Sequence, residues 1–200
     1  MYNPYDYYFK KAKKTGYKAR SAFKLEEIDK KFGIFDANTK KVVDIWCSPW
    51  SWIQYAYQKM SSGQEEDFVI IGFDLNPTNI SYPGCYVFQQ DATDYETVSG
   101  IIKEYAGEEL DLIISDLAPN TTWIKDIDAI KSIQSIEKTL PVFENFLKDN
   151  GKFVIKVFMW PDFEDFLGDL KKKYWGKRIK TYKPSSTRKH SKEIYVVKTS

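Results

Sequence analysis

Cysteine and histidine are almost missing from this 200-residue chain: Cys47, Cys85 and His190 are all it has. The two cysteines stand far from any metal-ligand spacing, which excludes a disulfide framework or a cysteine-based zinc site and leaves reduced thiols. No metal is expected. No apolar run approaches the roughly 18 residues of a membrane span. No early stretch joins a positive start, an apolar run and a small-residue cleavage site. The expectation is therefore a soluble, cytoplasmic protein with no membrane partner. Internal repeats, low-complexity tracts and long linkers are also lacking. With 42% hydrophobic residues, a chain of this length can bury one sizeable core but not two. Residues 1–200 are read as a single domain acting as a monomer.

Charge of one sign is scarce only in total. The net charge is +2, yet the bases gather at the ends. Lys10, Lys11, Lys13, Lys14, Lys18 and Arg20 crowd the start. Lys171, Lys172, Lys173, Lys177, Arg178, Lys180, Lys183, Arg188, Lys189 and Lys192 form a second block, and most acids lie between. A lysine run is often plain solvated surface, but two such blocks point to a polyanion partner. Residues 1–35 are read as a basic, polyanion-binding extension and helix, and residues 36–200 as the core.

Apolar residues recur at helical spacing from Ala19 to Phe32, with Gly33 as a stop. Short runs rich in β-branched residues, Lys41–Trp46, Asp67–Asp74, Cys85–Phe88, Leu110–Ser115 and Lys152–Phe158, read as strands. Helical patterns at Trp52–Met60, Tyr95–Tyr105 and Ile124–Leu147 separate them, the last closed by Asn150 and Gly151. Arg178–Tyr182 and Glu193–Lys198 have no helix between them and read as an antiparallel pair. Such alternation predicts an α/β, Rossmann-like, mostly parallel seven-stranded sheet with helices on both faces. In these sheets ligands bind beyond the carboxyl ends of the strands. The first residues, including Tyr7 and Tyr8, are expected to be mobile until the polyanion partner binds.

Carboxylates mark those ends. Asp44 stands in the first strand, Asp74 ends the second, and Asp91 and Asp116 follow the third and fourth. There one acid can accept hydrogen bonds from a ribose diol and another can meet an adenine amino group. Asp also favours strand-to-loop transitions for purely local reasons. Lys156, between Ile155 and Val157, is costly in a strand buried on both faces unless it reaches a pocket or a partner.

In order and spacing, GYKARSAFKLEEIDKKF, VVDIWCSPWSW, SDLAPN, KFVIKVF and KPSSTRKHSKEIYVV span nearly the whole chain. They resemble the FtsJ/RrmJ family of ribosomal RNA ribose 2′-O-methyltransferases. The resemblance implies S-adenosylmethionine as cofactor, large-subunit ribosomal RNA as partner, and a ribose 2′-hydroxyl, on a uridine, as the target. It also implies a catalytic tetrad of Lys24, Asp116, Lys156 and Glu193. Lys156 would be the base, Asp116 would orient it, and Lys24 and Glu193 would position the ribose. An unperturbed lysine, with a pKa near roughly 10.4, is a poor base at neutral pH. Lys24 and desolvation favour its neutral form and the two acids oppose it, so the residues alone leave the sign open.

By the same resemblance Trp50, Trp52, Asp74, Asp91 and Asp116 would hold the cofactor. Lys10, Lys11, Lys14, Lys18, Arg20 and Arg188 are the candidate RNA contacts. The loop after the first strand departs from the family's glycine-rich pattern, with Trp46, Trp50 and Ser51 where glycine is usual. Non-glycine residues forced to positive φ cost roughly 1 kcal/mol or more, which predicts weak cofactor binding or none. An indole against the sulfonium is the opposite reading. The alternatives to a ribosomal RNA enzyme are a catalytically silent RNA-binding or ribosome-assembly factor, and a 2′-O-methyltransferase acting on transfer RNA or an RNA cap.

Overall fold

A computed structural model describes residues 7–62, 67–117, 125–159, 163–173 and 178–200, without the side chains of 125–132. Seven strands form one sheet: β1 (Lys41–Ile45), β2 (Val69–Asp74), β3 (Cys85–Gln89), β4 (Leu110–Ser115), β5 (Leu147–Phe158), β6 (Ile179–Tyr182) and β7 (Glu193–Lys198). Their order is β3-β2-β1-β4-β5-β7-β6. The first five are parallel, and β7 runs antiparallel between β5 and β6. The order reverses between β1 and β4. There the loops leaving two neighbouring strands diverge and open a crevice.

The helices are α1 (Tyr7–Thr15), α2 (Ala22–Phe32), α3 (Ser51–Met60), α4 (Tyr95–Ala106), α5 (Lys125–Phe146) and α6 (Phe163–Lys173). Strand alternation sends side chains to two cores. Val43, Ile45, Ile113, Ile155 and Val157 pack with residues of α4, α5 and α6, whereas Val42, Leu112, Ile114, Val154 and Tyr195 pack with α2 and α3. Both faces are covered, as the uninterrupted apolar strands require. Helix α2 stops at Gly33, which takes φ 60° and returns its N–H to the carbonyl of Asp29.

Two element boundaries, those of the first long helix and of the fifth strand, are corrected. The first long helix begins at Ala22, because residues 19–21 form a turn and the Ser21 hydroxyl bonds Ser51 rather than capping the helix. Tyr7 and Tyr8 are in helix α1, held by the Tyr8 ring against Phe23 and by Tyr8 Oη near Ser185 Oγ at 3.4 Å. The strand read as Lys152–Phe158 starts at Leu147, so Asn150 and Gly151 do not cap a helix. They belong to a bulge opposite Asp111, since Leu110 pairs with Leu147 and Leu112 with Lys152. A Cβ on Gly151 would lie 2.9 Å from the Lys148 carbonyl oxygen, which explains glycine there. The second basic block divides: Lys171–Lys173 end α6, whose apolar stripe faces the α4/α5 core, away from α2. Ala118–Asn120, Ile124 and Lys177 lie outside the described residues.

Among the described residues no helix is long and apolar enough to cross a membrane.

Candidate active site

The four tetrad candidates meet at the carboxyl end of the sheet, on the face covered by α2. Lys156 lies opposite Tyr195 in the β5–β7 ladder, and Glu193 enters β7 opposite Phe158. Glu193 and Tyr195 share a face because they are two apart in a strand. Lys24 reaches them from the first turn of α2, where its Nζ is 2.6 Å from Glu193 Oε1. Lys156 Nζ lies 3.1 Å from Asp116 Oδ1 and donates to the Asp116 carbonyl at 2.6 Å. The Tyr195 hydroxyl donates to the same carboxylate oxygen at 3.0 Å.

Burial is uneven within this group. The side chain of Lys156 is 5% exposed and that of Asp116 19%. Desolvation pushes Lys156 below the ordinary lysine range; Asp116 opposes it, Lys24 adds to it, and Glu193 opposes it. The direction that composition left open is therefore downward. Burial works to raise the carboxyl of Asp116, but Lys156 and Lys24, with hydrogen bonds from Lys156 and Tyr195, hold it below the usual carboxylate range. Asp116 is thus an anion beside an amine biased toward neutrality. Tyr195 is not among the site residues expected from the sequence. Its signal was positional, two residues after Glu193 on the same strand face.

Asp116 also lines a cavity of about 420 Å³ with Trp46, Ser48, Asp74, Leu75, Asn76, Asp91 and Thr93. It occupies the crevice where the strand order reverses. Asp74 fixes its wall: one carboxylate oxygen accepts from Ser48 N at 2.9 Å, the other from Asn76 N at 2.8 Å. Asp91 accepts from Thr93 N and Oγ1 at 2.9 and 2.8 Å. Behind the loop, both carboxyl oxygens of Asp44, and Ser115 Oγ, are buried with no hydrogen-bond partner among the described residues. Burial first, then the charges of Asp116 and Asp74, push the Asp44 pKa well up, which favours its neutral form.

The tryptophan loop departs from expectation. Trp52 is 2% exposed, donates from Nε1 to the Ser21 carbonyl and packs 5.9 Å from the Tyr195 ring. Trp50 turns toward the α2/α3 core, with its ring 6.3 Å from Tyr82 and under Lys18 Nζ at 4.6 Å. Neither lines the cavity; Trp46 does, although the sequence reading did not select it. The reason is local: Trp50 and Trp52 open helix α3, so their side chains follow that helix onto the other face. Trp46 and Trp50 hold φ of 63° and 60°, the left-handed region that glycine favours.

The basic candidates cluster beside this site. Arg20 donates to the Ser186 carbonyl, packs near the Tyr8 ring and feels the charge of Arg188. Glu27 accepts from Ser185 N and Oγ and from Ser186 N at 2.6, 2.9 and 2.9 Å, which fastens the β6–β7 loop to α2. Lys10, Lys14, Lys18 and Arg188 are exposed; Lys11 lies over the Phe23 ring at 4.2 Å. Phe23 itself is buried.

The comparisons agree with this architecture. The profile of the FtsJ-like methyltransferases matches residues 17–200. Ribosomal RNA large subunit methyltransferase E of Desulfatibacillum aliphaticivorans is 42% identical over 96% of this chain and 88% of its own length. The protein of the same name from Bdellovibrio bacteriovorus is 41% identical over 98% and 96%. Among solved structures, a Plasmodium falciparum protein described as a ribosomal RNA methyltransferase superposes with a TM-score of 0.78 at 25% identity, covering 92% of this chain and 97% of that one. With a family match over almost the whole chain and relatives above 40% identity, this chain belongs to the FtsJ-like methyltransferase family.

Proposed function

We propose that this methyltransferase moves a methyl group from S-adenosylmethionine to a ribose 2′-hydroxyl of large-subunit ribosomal RNA, on a uridine by the family resemblance. The observation that carries the reading is the buried Lys156 amine, held on Asp116 at the rim of the carboxylate-lined cavity. The names of the two bacterial relatives support the ribosomal target.

The residues at the crevice fit the donor in charge and placement. Asp74, Asp91 and Asp116 stand at the ends of β2, β3 and β4, and Asp44 and Ser115 hold polar atoms with no hydrogen-bond partner among the described residues. When bound, S-adenosylmethionine supplies an electrophilic methyl carbon on a sulfonium. Asp74 and Asp91 would hold its polar groups and Asp116 would face its charged end. The remaining work falls to the chain. A neutral Lys156 that donates its two N–H bonds to Asp116 O and Oδ1 keeps its lone pair for the proton of the incoming hydroxyl. Tyr195 fixes the shared Asp116 oxygen from the other side. Lys24 and Glu193, paired at the mouth, would orient the ribose and hold the local charge balanced. The basic cluster around Arg20 and Arg188 would bind phosphates as one module with residues 36–200, the chain acting as a cytoplasmic monomer.

The test is transfer of labelled methyl from S-adenosylmethionine to ribosomal subunits, ribosomal RNA, transfer RNA and capped RNA, with the label mapped as resistance of one linkage to alkaline cleavage. Label confined to large-subunit RNA is expected. Label on transfer RNA or caps alone would overturn the substrate. A second reading, a silent RNA-binding factor, is favoured by a tryptophan at position 46 in the cavity lining and the two left-handed tryptophans. RNA binding without any donor binding would establish it.

A further inference from the structure

The loop after β1 has a backbone that its side chains oppose. Among the described residues, Trp46 and Trp50 are the non-glycine residues with positive φ. Tryptophan is 6 of 200 residues, yet it supplies both, while asparagine and aspartate, which enter this region most readily, supply neither. The hydrogen bonds that shape the loop do not depend on the indoles. Cys47 N donates to the Phe73 carbonyl at 3.0 Å, Ser48 N to Asp74, Trp50 N to the Cys47 carbonyl, and Gln54 N to the Trp50 carbonyl at 3.0 Å.

Trp52 makes the contrast. It has helical backbone, a buried ring and an indole N–H bonded to Ser21. That is a position built for tryptophan. Position 50 instead leaves its ring partly exposed, and position 46 sets a half-buried tryptophan in the lining of the carboxylate-bearing cavity. At both positions the turn calls for the left-handed region, and glycine is the residue that enters it without strain.

We infer that positions 46 and 50 carry glycine in the enzyme as its own cell makes it, and that both tryptophans mark UGA triplets, which some genetic codes read as tryptophan and others as glycine. The inference explains how an assembled Lys24–Asp116–Lys156–Glu193 site stands beside a loop hostile to its donor. It bears on the proposed donor site but rests on the backbone, so the two can fail separately.

The first test reads the gene: UGA is expected at positions 46 and 50 and UGG at Trp52. UGG at 46 or 50 overturns the inference, as does a peptide isolated from the source cell whose mass contains tryptophan there. The second test compares the purified chain with W46G/W50G and W46A/W50A. Both double variants remove the indoles, but only glycine relieves the backbone. Without ligand, the glycine variant should melt at the higher temperature of the two; equal melting would overturn the backbone argument. Titration with S-adenosylmethionine should show at least about tenfold tighter binding by the glycine variant than by the unaltered chain, or about 1.4 kcal/mol. Weaker binding by the glycine variant would mean the indoles serve the donor, and would overturn the inference. If the triplets are UGA and glycine melts higher than alanine, yet no variant binds donor, the decoding stands and the methyl-transfer reading falls.

Discussion

The tetrad and the β1–α3 loop lie at the same end of the same sheet, yet they solve opposite problems. In the tetrad the backbone is ordinary and the side chains are costly: two lysine amines and two carboxyl groups, little exposed, made tolerable by mutual contacts at 2.6 to 3.1 Å. In the loop the side chains are apolar and the backbone is costly, with two residues in the left-handed region. A buried charge is stabilised by a partner that can be named. A strained φ has no partner, and only a different residue relieves it.

The largest effect that could break this comparison is at the base. Lys156→Ala should lower methyl transfer by about 10²- to 10⁴-fold while RNA affinity stays within experimental error, checked by single-turnover transfer and filter binding. Loss of RNA binding in parallel would make Lys156 a structural residue. Next, Lys10, Lys11, Lys13 and Lys14 replaced together by glutamine should weaken RNA binding by about tenfold or more at low salt. The slope of log affinity against log salt should also flatten by roughly 0.7 to 0.9 per lost phosphate contact. An unchanged slope would remove helix α1 from the interface.

The pH profile sharpens the electrostatic side. Burial pushes the Lys156 pKa down, so the fraction of neutral base, and with it kcat/KM, should rise with pH and level off below the ordinary lysine value. Lys24→Met removes a cation that adds to this shift and leaves Glu193 unpaired; both changes favour charged Lys156. The rising limb should therefore move to higher pH, and an unmoved limb would separate Lys24 from the base. The smallest effect lies in the loop, where Trp50→Gly should exceed Trp50→Ala in stability by about 1 to 2 kcal/mol, read from chemical denaturation.

The strands were legible because runs such as VVDI and LDLIIS, buried on both faces, need no partner to be recognised. Helices α1 and α6 were not. Their apolar stripes are short, and their lysines read as an RNA surface before they read as helix. The start of β5 was hidden by Asn150–Gly151, a helix-stop pair serving a bulge whose register only the neighbouring strand sets. Lys24, Asp116, Lys156 and Glu193 came from resemblance, and the lysine in a buried strand was the one member that physics singled out unaided. Tyr195 was missed because a tyrosine in a strand looks like core until its hydroxyl has a destination. Trp50 and Trp52 stand away from the cavity lining because adjacency in a loop says nothing about which face a following helix presents.

The pairing of Lys156 with Tyr195 in the β5–β7 ladder also limits how this protein can change length. Inserting one residue into β7 would exchange inward and outward side chains along the strand. It would turn Glu193 and Tyr195 away together and present Ile194 and Val196 to Lys24 and Asp116. The turn at residues 183–191 can absorb insertions that β7 cannot, so viable length variants should accumulate there, between the Glu27 clasp and the first ladder pair.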